Sequence, residues 1–312
     1  MTSEHPHVPA IAALVLNYRD AARTSRCVAS LLSAGVMHVC VWDNSADEGA
    51  SAAALRDMVA GDDRLSLHVS GHNLGFAAGV NRGLAWLRGR YPEAWVLLLN
   101  NDAYLLPGAL PALRAALLQQ PHAVVAYPAI RQGGRVQGPL YYQRHAGLIT
   151  HRPLPGSIPY ATGCCLLLAT DRWTGPWFDE TFFMYGEDVE LSWRLGPQRL
   201  VHVPHARVVH EGSASSGMAT PFYETQLVSS HWRLVDKLAR TRVEAMLMRL
   251  GRACALPLRA GLRAWRYRSL VPLKALLWGY QHARRPAPAR PAVRPEPATR
   301  SPPRYRDRDD PS

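Results

Sequence analysis

Four short apolar runs, each stopping at a polar cluster and each followed by a helix-like stretch, limit this chain's fold more than any other feature. Ala10 to Leu16, His38 to Trp42, Leu65 to Val69 and Trp95 to Leu99 are rich in Val, Leu or aromatics, and Ala123 to Tyr127 is a fifth such run. Runs this short and apolar predict strands. Between them Ala21 to Ala34, Ala50 to Ala60, Ala77 to Arg88 and Ala109 to Leu118 are rich in Ala, Leu and Arg, with apolar residues three or four apart, and predict helices. The alternation implies an α/β fold, a mostly parallel sheet with helices on both faces. Ligands of such sheets sit beyond the carboxyl ends of the strands. The polar residues found there are Asn17-Tyr18-Arg19-Asp20, Asp43-Asn44-Ser45, Asn73-Leu74-Gly75 and Asn100-Asn101-Asp102, four strand ends on one rim.

Farther along, residues 131 to 160 carry turn signals and little periodicity, which predicts a hairpin or mobile loop. An apolar run, Cys164 to Ala169, follows, and then FDETFFMYGEDVELSWRL, which suits an amphipathic helix beginning near Glu187. His202 to Pro204 and Val208 to His210 predict two short closing strands. From about Arg240, Val243, Met246, Leu247 and Leu250, then Leu258, Leu262 and Trp265, repeat at helical spacing with Arg interleaved, and Pro257 and Pro272 are expected to break the region into pieces. The stretch from Arg284 on is Pro, Arg and Ala rich and is expected to be disordered. The implied organisation is an α/β domain over 1–239, a basic amphipathic helical region over 240–283 and a tail over 284–312.

The formal charge of +12 suggests nucleic-acid binding only until it is placed along the chain. Residues 1–239 hold 19 Lys/Arg and 19 Asp/Glu, so the whole excess lies in the last 73 residues. That excess sits in amphipathic and Pro-rich sequence without a DNA- or RNA-binding motif, which argues against a nucleic-acid partner. Cys27, Cys40, Cys164, Cys165 and Cys254 are odd in number and lack C-x-x-C spacing, so they read as reduced, mostly buried thiols on a cytoplasmic protein. MTSEHPHVPA is not a secretory signal, and no uninterrupted apolar run reaches the length of a spanning helix.

Two carboxylate positions could carry chemistry. Asp102 ends WVLLLNND, where a buried strand would deliver a hard oxygen donor suited to Mg²⁺ or Mn²⁺ bound with phosphate; the same residue could instead N-cap a helix beginning near Pro107. Glu187 and Asp188 stand at a helix start, where acids commonly suit the helix dipole, yet the aromatic approach Phe182-Phe183-Met184-Tyr185 could desolvate Asp188 and make it a base. Glu190 reads as structural. His210 ends an apolar run and is either an ordinary histidine or the completion of a Mn²⁺ shell. Gly75, Gly79 and Gly83 are not a G-x-G-x-x-G loop; small residues there would let a helix approach the sheet or phosphates closely.

LVLNYR (14–19), VWDNSADEG (41–49), NLGFAAGVNRGL (73–84), LLLNNDAYL (97–105), ATGCCLLL (161–168), FDETFFMYGEDVELSWR (178–194) and VPHARVVHEGSAS (203–215) together resemble the family 2 glycosyltransferases of A-type fold, in their bacterial rhamnosyltransferase branch. The resemblance implies a metal-dependent inverting transfer from a nucleotide diphosphate sugar, dTDP-rhamnose first, to a saccharide or polyprenyl-diphosphate-linked acceptor of surface polysaccharide. It implies that Asn17, Tyr18 and Arg19 line the nucleotide site, that Asp43 bonds the base and that Asn73 faces the nucleotide or diphosphate, with Gly75, Asn81 and Asn101 in the same nucleotide-sugar site. Asp102 becomes the metal-binding end of the family's Asp-x-Asp equivalent, Asp188 with Glu187 the catalytic Glu-Asp pair, and His210 a further metal or diphosphate ligand. Asn100 and Asn101 depart from the all-acidic metal motif. Acceptors of this kind place the enzyme at the inner face of the membrane, where 240–283 would make peripheral contact; the competing expectation is that these helices pack on the domain with Arg as their solvated face. A sugar nucleotidyltransferase would be expected to carry a Gly-rich phosphate loop that LVLNYRDAART lacks, and a non-catalytic protein retaining the fold would not need both Asp102 and Asp188.

Overall fold

A computed structural model describes residues 8–212 and 220–285. In chain order it begins β1 (Ile11–Asn17), α1 (Ala21–Ser33), β2 (His38–Asp43), α2 (Ala50–Val59), β3 (Leu65–Val69), α3 (Gly75–Arg90) and β4 (Trp95–Asn100). β1 pairs in parallel with β2 and β4, and β2 with β3. Alternate residues of β1 enter different cores. Ile11, Ala13 and Val15 join Val28 and Leu31 of α1, while Ala12 and Leu14 join Val80 and Leu84 of α3. A strand covered on both faces must be apolar at nearly every position, which is why β1 reads as an unbroken apolar run.

The chain continues β5 (Ala103–Leu105), α4 (Ala109–Gln119), β6 (Val125–Gln132), β7 (Arg135–Gln137), β8 (Leu140–Gln143), β9 (Leu148–Thr150), β10 (Ser157–Tyr160), β11 (Cys165–Leu168), α5 (Glu187–Leu195) and β12 (Leu200–His210). The main sheet has the order β3-β2-β1-β4-β11-β6-β12-β5, with β7 paired to β6. It is parallel over its first four strands, as expected, and mixed beyond them. β11 runs antiparallel to both β4 and β6, because the chain returns to the sheet in the opposite sense after an excursion through the separate sheet β10-β8-β9. Residues 131–160, expected as a hairpin or mobile loop, supply β7 to β10. The two short strands expected near the end are one strand, β12, whose register shifts between Val203 and Arg207.

Three helices finish the described chain: α6 (Pro221–Leu238), α7 (Arg242–Tyr267) and α8 (Val271–Arg284). Leu234, Val235 and Leu238 of α6 and Met248 of α7 form a third core with Tyr142, Tyr160, Phe182 and Val189. The expected break at Pro257 is absent, since α7 runs through it. Pro257 and Ala253, whose carbonyl loses its usual N–H donor, are both exposed, so water can take the place of that hydrogen bond. The break falls instead at Arg268, which adopts a left-handed conformation, and Pro272 sits in the first turn of α8. The Pro/Arg-rich tail beyond residue 285 lies outside the described residues, and no described helix is long and apolar enough to cross a membrane.

Candidate active site

A cavity of about 530 Å³ lies beyond the carboxyl ends of β1, β2 and β4, a size typical of small-molecule sites. Of the residues expected in the site, Tyr18, Asn73, Gly75, Asn101, Asp102, Glu187, Asp188 and His210 line it. Asn17, Arg19, Asp43 and Asn81 do not. Residues that sequence reasoning passed over also line it: Asn44, Phe76, Thr162, Gly163 and Cys164, with Tyr185 and Phe222 from the aromatic side. Asn44 carried a signal in its place next to Asp43 at a strand end, and Tyr185 in the aromatic approach to Asp188.

The four residues outside the lining have other partners. Asn17 is fully buried; its amide donates to Asp43 Oδ1 at 2.8 Å and its carbonyl accepts from Thr24 Oγ1 at 2.7 Å. Asn101 Nδ2 in turn donates to Thr24 Oγ1 at 3.1 Å. One hydrogen-bond chain, Asn101–Thr24–Asn17–Asp43, therefore ties the ends of β4, β1 and β2 together. Asp43 is 1 % exposed and also accepts from the Ser45 backbone N–H at 3.2 Å. Arg19 has φ 54° and its backbone N–H donates to Ser45 Oγ at 2.8 Å. Asn81 Nδ2 donates to the Phe178 carbonyl at 2.8 Å and to Glu180, and its Oδ1 accepts from the Phe178 N–H. Asn81 anchors the 178–180 loop instead of facing the cavity.

The wall at β2 and α3 is shaped by backbone demands. Asn44 Nδ2 donates to the Gly75 carbonyl at 2.9 Å, and Gly75 has φ +79° with Phe183 where a Cβ would stand. Farther along α3, a Cβ on Gly79 would come 2.8 Å from Leu16 Cδ1. The small residues thus serve helix–sheet contact.

In the cavity lining Asp102 Oδ1 lies 3.2 Å from His210 Nε2. The Asp102 carbonyl accepts from the Glu211 N–H at 2.9 Å, which holds the end of β12 beside β4's end. Asp102 is not a helix cap, for α4 is capped by Gly108 without a side-chain bond. Burial disfavours the His210 cation, but hydrogen bonds with Asp102 and Cys164 outweigh it and push the imidazole up to about 10. A carboxylate and an imidazole side by side, the imidazole giving up its proton, could hold a divalent cation together with water or phosphate oxygens. No cluster of three His, Cys, Asp or Glu placed for a metal occurs among the described residues.

Also on the cavity wall, Gly186, with φ 91°, turns the chain into α5, and Glu187 and Asp188 are its first two residues. Asp188 accepts from the Gly163 N–H at 3.2 Å and the Val189 N–H at 2.8 Å. Burial pushes its carboxyl up and those N–H groups restrain the rise. Glu187 is pushed well above the usual carboxylate range by burial and then by Asp188's charge, and its Oε2 has no hydrogen-bond partner among the described residues. Both adjacent carboxyls are raised by burial, so the pair resists carrying two charges at once. Glu190 is separate: Arg194 Nε donates to it at 2.8 Å, the structural role expected of it.

Comparison with known proteins gives this arrangement a lineage. The N-acetylglucosaminyl-diphospho-decaprenol L-rhamnosyltransferase of Mycobacterium tuberculosis is 30% identical over 241 residues, covering 65% of this chain and 76% of that protein. Among solved structures, GalNAc-T7 with UDP, GalNAc and Mn²⁺ superposes with a TM-score of 0.57 at 12% identity, over 74% of this chain; the chain spans about half of that protein, 48%. The mannosyltransferase PcManGT of Pyrobaculum calidifontis with GDP-Man and Mn²⁺ superposes with a TM-score of 0.51 at 14% identity, over 89% of this chain and 85% of that one. At these identities the two structures show a shared fold. The pattern of glycosyl transferase family 2 matches residues 13–171, half the chain and all four strand ends that build the rim, and the chain belongs to that family.

Proposed function

We propose that the cavity binds a nucleotide diphosphate sugar and that Asp188 takes the proton of an acceptor hydroxyl as the sugar is transferred with inversion. In a single displacement the acceptor oxygen forms a bond to the anomeric carbon, the bond from that carbon to the diphosphate breaks, and the hydroxyl proton passes to Asp188. Glu187, holding its own proton, keeps the pair from carrying two charges. The observation that carries this reading is the presence of two unlike carboxylate stations, Asp102–His210 and Glu187–Asp188, in the lining of one cavity. A divalent ion, Mg²⁺ or Mn²⁺, supplies charge neutralisation of the leaving diphosphate when bound. Asp102 and His210 would hold it, with Asn101 placed by Thr24 next to them. The bond chain through Asn17 and Asp43 fixes the rim where Tyr18 and Asn73 meet the nucleotide.

The relative's name supports a rhamnose donor, dTDP-rhamnose first, and a polyprenyl-diphosphate-linked saccharide as acceptor. Such an acceptor would place the protein at the inner face of the membrane, with residues 240–283 as the contact. The test incubates purified full-length chain and Mn²⁺ or Mg²⁺ with a panel of nucleotide sugars and an N-acetylglucosaminyl-diphospho-lipid. Rhamnosylated product from the wild type, and none from Asp188→Asn at equal donor binding, is expected; unchanged turnover in Asp188→Asn removes the proposed base, and transfer from another sugar alone removes the donor assignment.

A further inference from the structure

The helix α7 is turned inside out. Val243, Leu247, Leu250, Leu258, Leu262 and Trp265 recur on one side of it and are all exposed, Trp265 to 83 %. The opposite side, packed on the protein, carries arginines. Arg252 is 0 % exposed, its guanidinium donating to the carbonyls of His231 and His145 and to Tyr142 Oη. Arg259 bonds the His231 imidazole at 2.9 Å, and Arg263 Nε donates to Glu224 at 3.0 Å. An amphipathic helix on a protein in water faces its apolar stripe inward. Here polar anchors hold the reverse orientation, so the expectation of Arg as the solvated face fails for these three residues.

We infer that the outward face of α7 and α8 is a docking surface for an anionic lipid bilayer. Leu270, Leu273 and Leu277 of the α8 region are exposed too, and Leu277 also lines a groove of about 220 Å³ with Leu256, Pro257 and Tyr280 between the two helices. Apolar cover is thus continuous from one helix to the next. Around it Arg266, Arg268 and Lys274 are exposed, whereas the single acid between residues 240 and 285, Glu244, is paired with Arg144 at 2.6 Å. Such a surface, apolar and aromatic at its centre with uncompensated cations at its margin, matches an interface of hydrocarbon under anionic headgroups. It does not suit a second copy of the same face, which would bring like charges together with no free acid to meet them. Nor does the chain's own tail fit, since residues 286–312 contain no Leu, Ile, Met, Phe or Trp.

The inference rests on the lipid-linked acceptor reading for its setting only, and its test needs no donor or acceptor, so each can fail alone. Cys254 is exposed between Leu250 and Leu258 while the other four cysteines are buried, so an environment-sensitive fluorophore can be attached at the centre of the stripe. With the full-length chain, vesicles of phosphatidylcholine and phosphatidylglycerol should blue-shift the label and sediment the protein, less so at high salt. Leu258→Glu with Leu262→Glu should lower that partitioning by about tenfold or more while leaving the melting temperature unchanged. Equal binding by the double variant overturns the inference, as does equal binding to pure phosphatidylcholine vesicles. A label that blue-shifts without lipid as a dimer forms with rising protein concentration overturns it in favour of self-association.

Discussion

At one station of the cavity lining a carboxylate carried just past a strand meets an imidazole 3.2 Å away; at the second, two carboxylates open a helix and meet each other. The first station pairs unlike groups. The second sets like groups side by side where water is scarce, with Gly163 and Val189 N–H groups as partial compensation. The difference teaches a division of labour that burial alone does not specify: paired donors favour a cation, and crowded carboxyls favour a proton.

The comparison breaks most visibly if the two stations respond alike to loss of charge. Asp188→Asn keeps shape and hydrogen bonding to Gly163 but cannot accept a proton, so the transfer rate should fall about 10²- to 10⁴-fold with donor affinity held. In the wild type the raised Asp188 carboxyl must be ionised to act. Activity should therefore be lost as pH falls through a value above the ordinary aspartate range, and the acid limb of a pH–rate profile measures it. Asp102→Ala should act on binding instead, weakening metal-dependent donor affinity by about 10- to 100-fold or more in titration calorimetry. A rate loss without an affinity loss would merge the stations into one.

How much of this was legible beforehand followed the range of the interactions. Strand and helix positions through α4, apart from the unforeseen β5, are set by local apolar period, and the predicted spans lie within about two residues of those found. Asp102, Asp188 and His210, far apart in sequence, do share the cavity, and the ordered motifs were what brought them together. Partner choice was not legible. Nothing local says that Asn17 faces Thr24 and Asp43 or that Asn81 reaches the Phe178 backbone, because these bonds join residues from 7 to 97 positions apart. The sense of β11 likewise depends on pairing with β4 and β6. The interleaved arginines of α7 gave its amphipathic pattern, and the competing expectation of a solvated Arg face fails at Arg252, Arg259 and Arg263, since the pattern cannot say which side finds His231, Tyr142 and Glu224.

Stability sharpens the contrast between stations. Glu187 gains a raised carboxyl on folding, so the folded state holds a proton that the unfolded state releases near pH 4.3. The associated stability is fully present below that value and is lost as pH rises through the folded-state value. Glu187→Gln removes the cost of holding that proton and should therefore be the more stable protein at neutral and alkaline pH, by about 1–3 kcal/mol in urea titrations, with little difference in acid. Asp102→Asn should show no such gain, because its partner imidazole already compensates the charge.

The smallest effect tests whether the metal-side station is positioned from the nucleotide rim. Thr24→Val is near in volume and removes the hydroxyl that Asn101 donates to and Asn17 accepts from. A buried hydrogen bond lost on this scale costs about 1 kcal/mol, which urea denaturation can resolve. If the chain from Asn101 to Asp43 only staples strand ends, donor affinity should be untouched with and without Mn²⁺. If it also aims the Asn101–Asp102 turn, affinity should fall about twofold with Mn²⁺ and stay level in its absence, and Thr24→Ser, which keeps the hydroxyl, should restore it. The second outcome is expected, because Asn101 has its amide on Thr24 while its backbone leads directly into Asp102, so rotation at one residue is passed to the next.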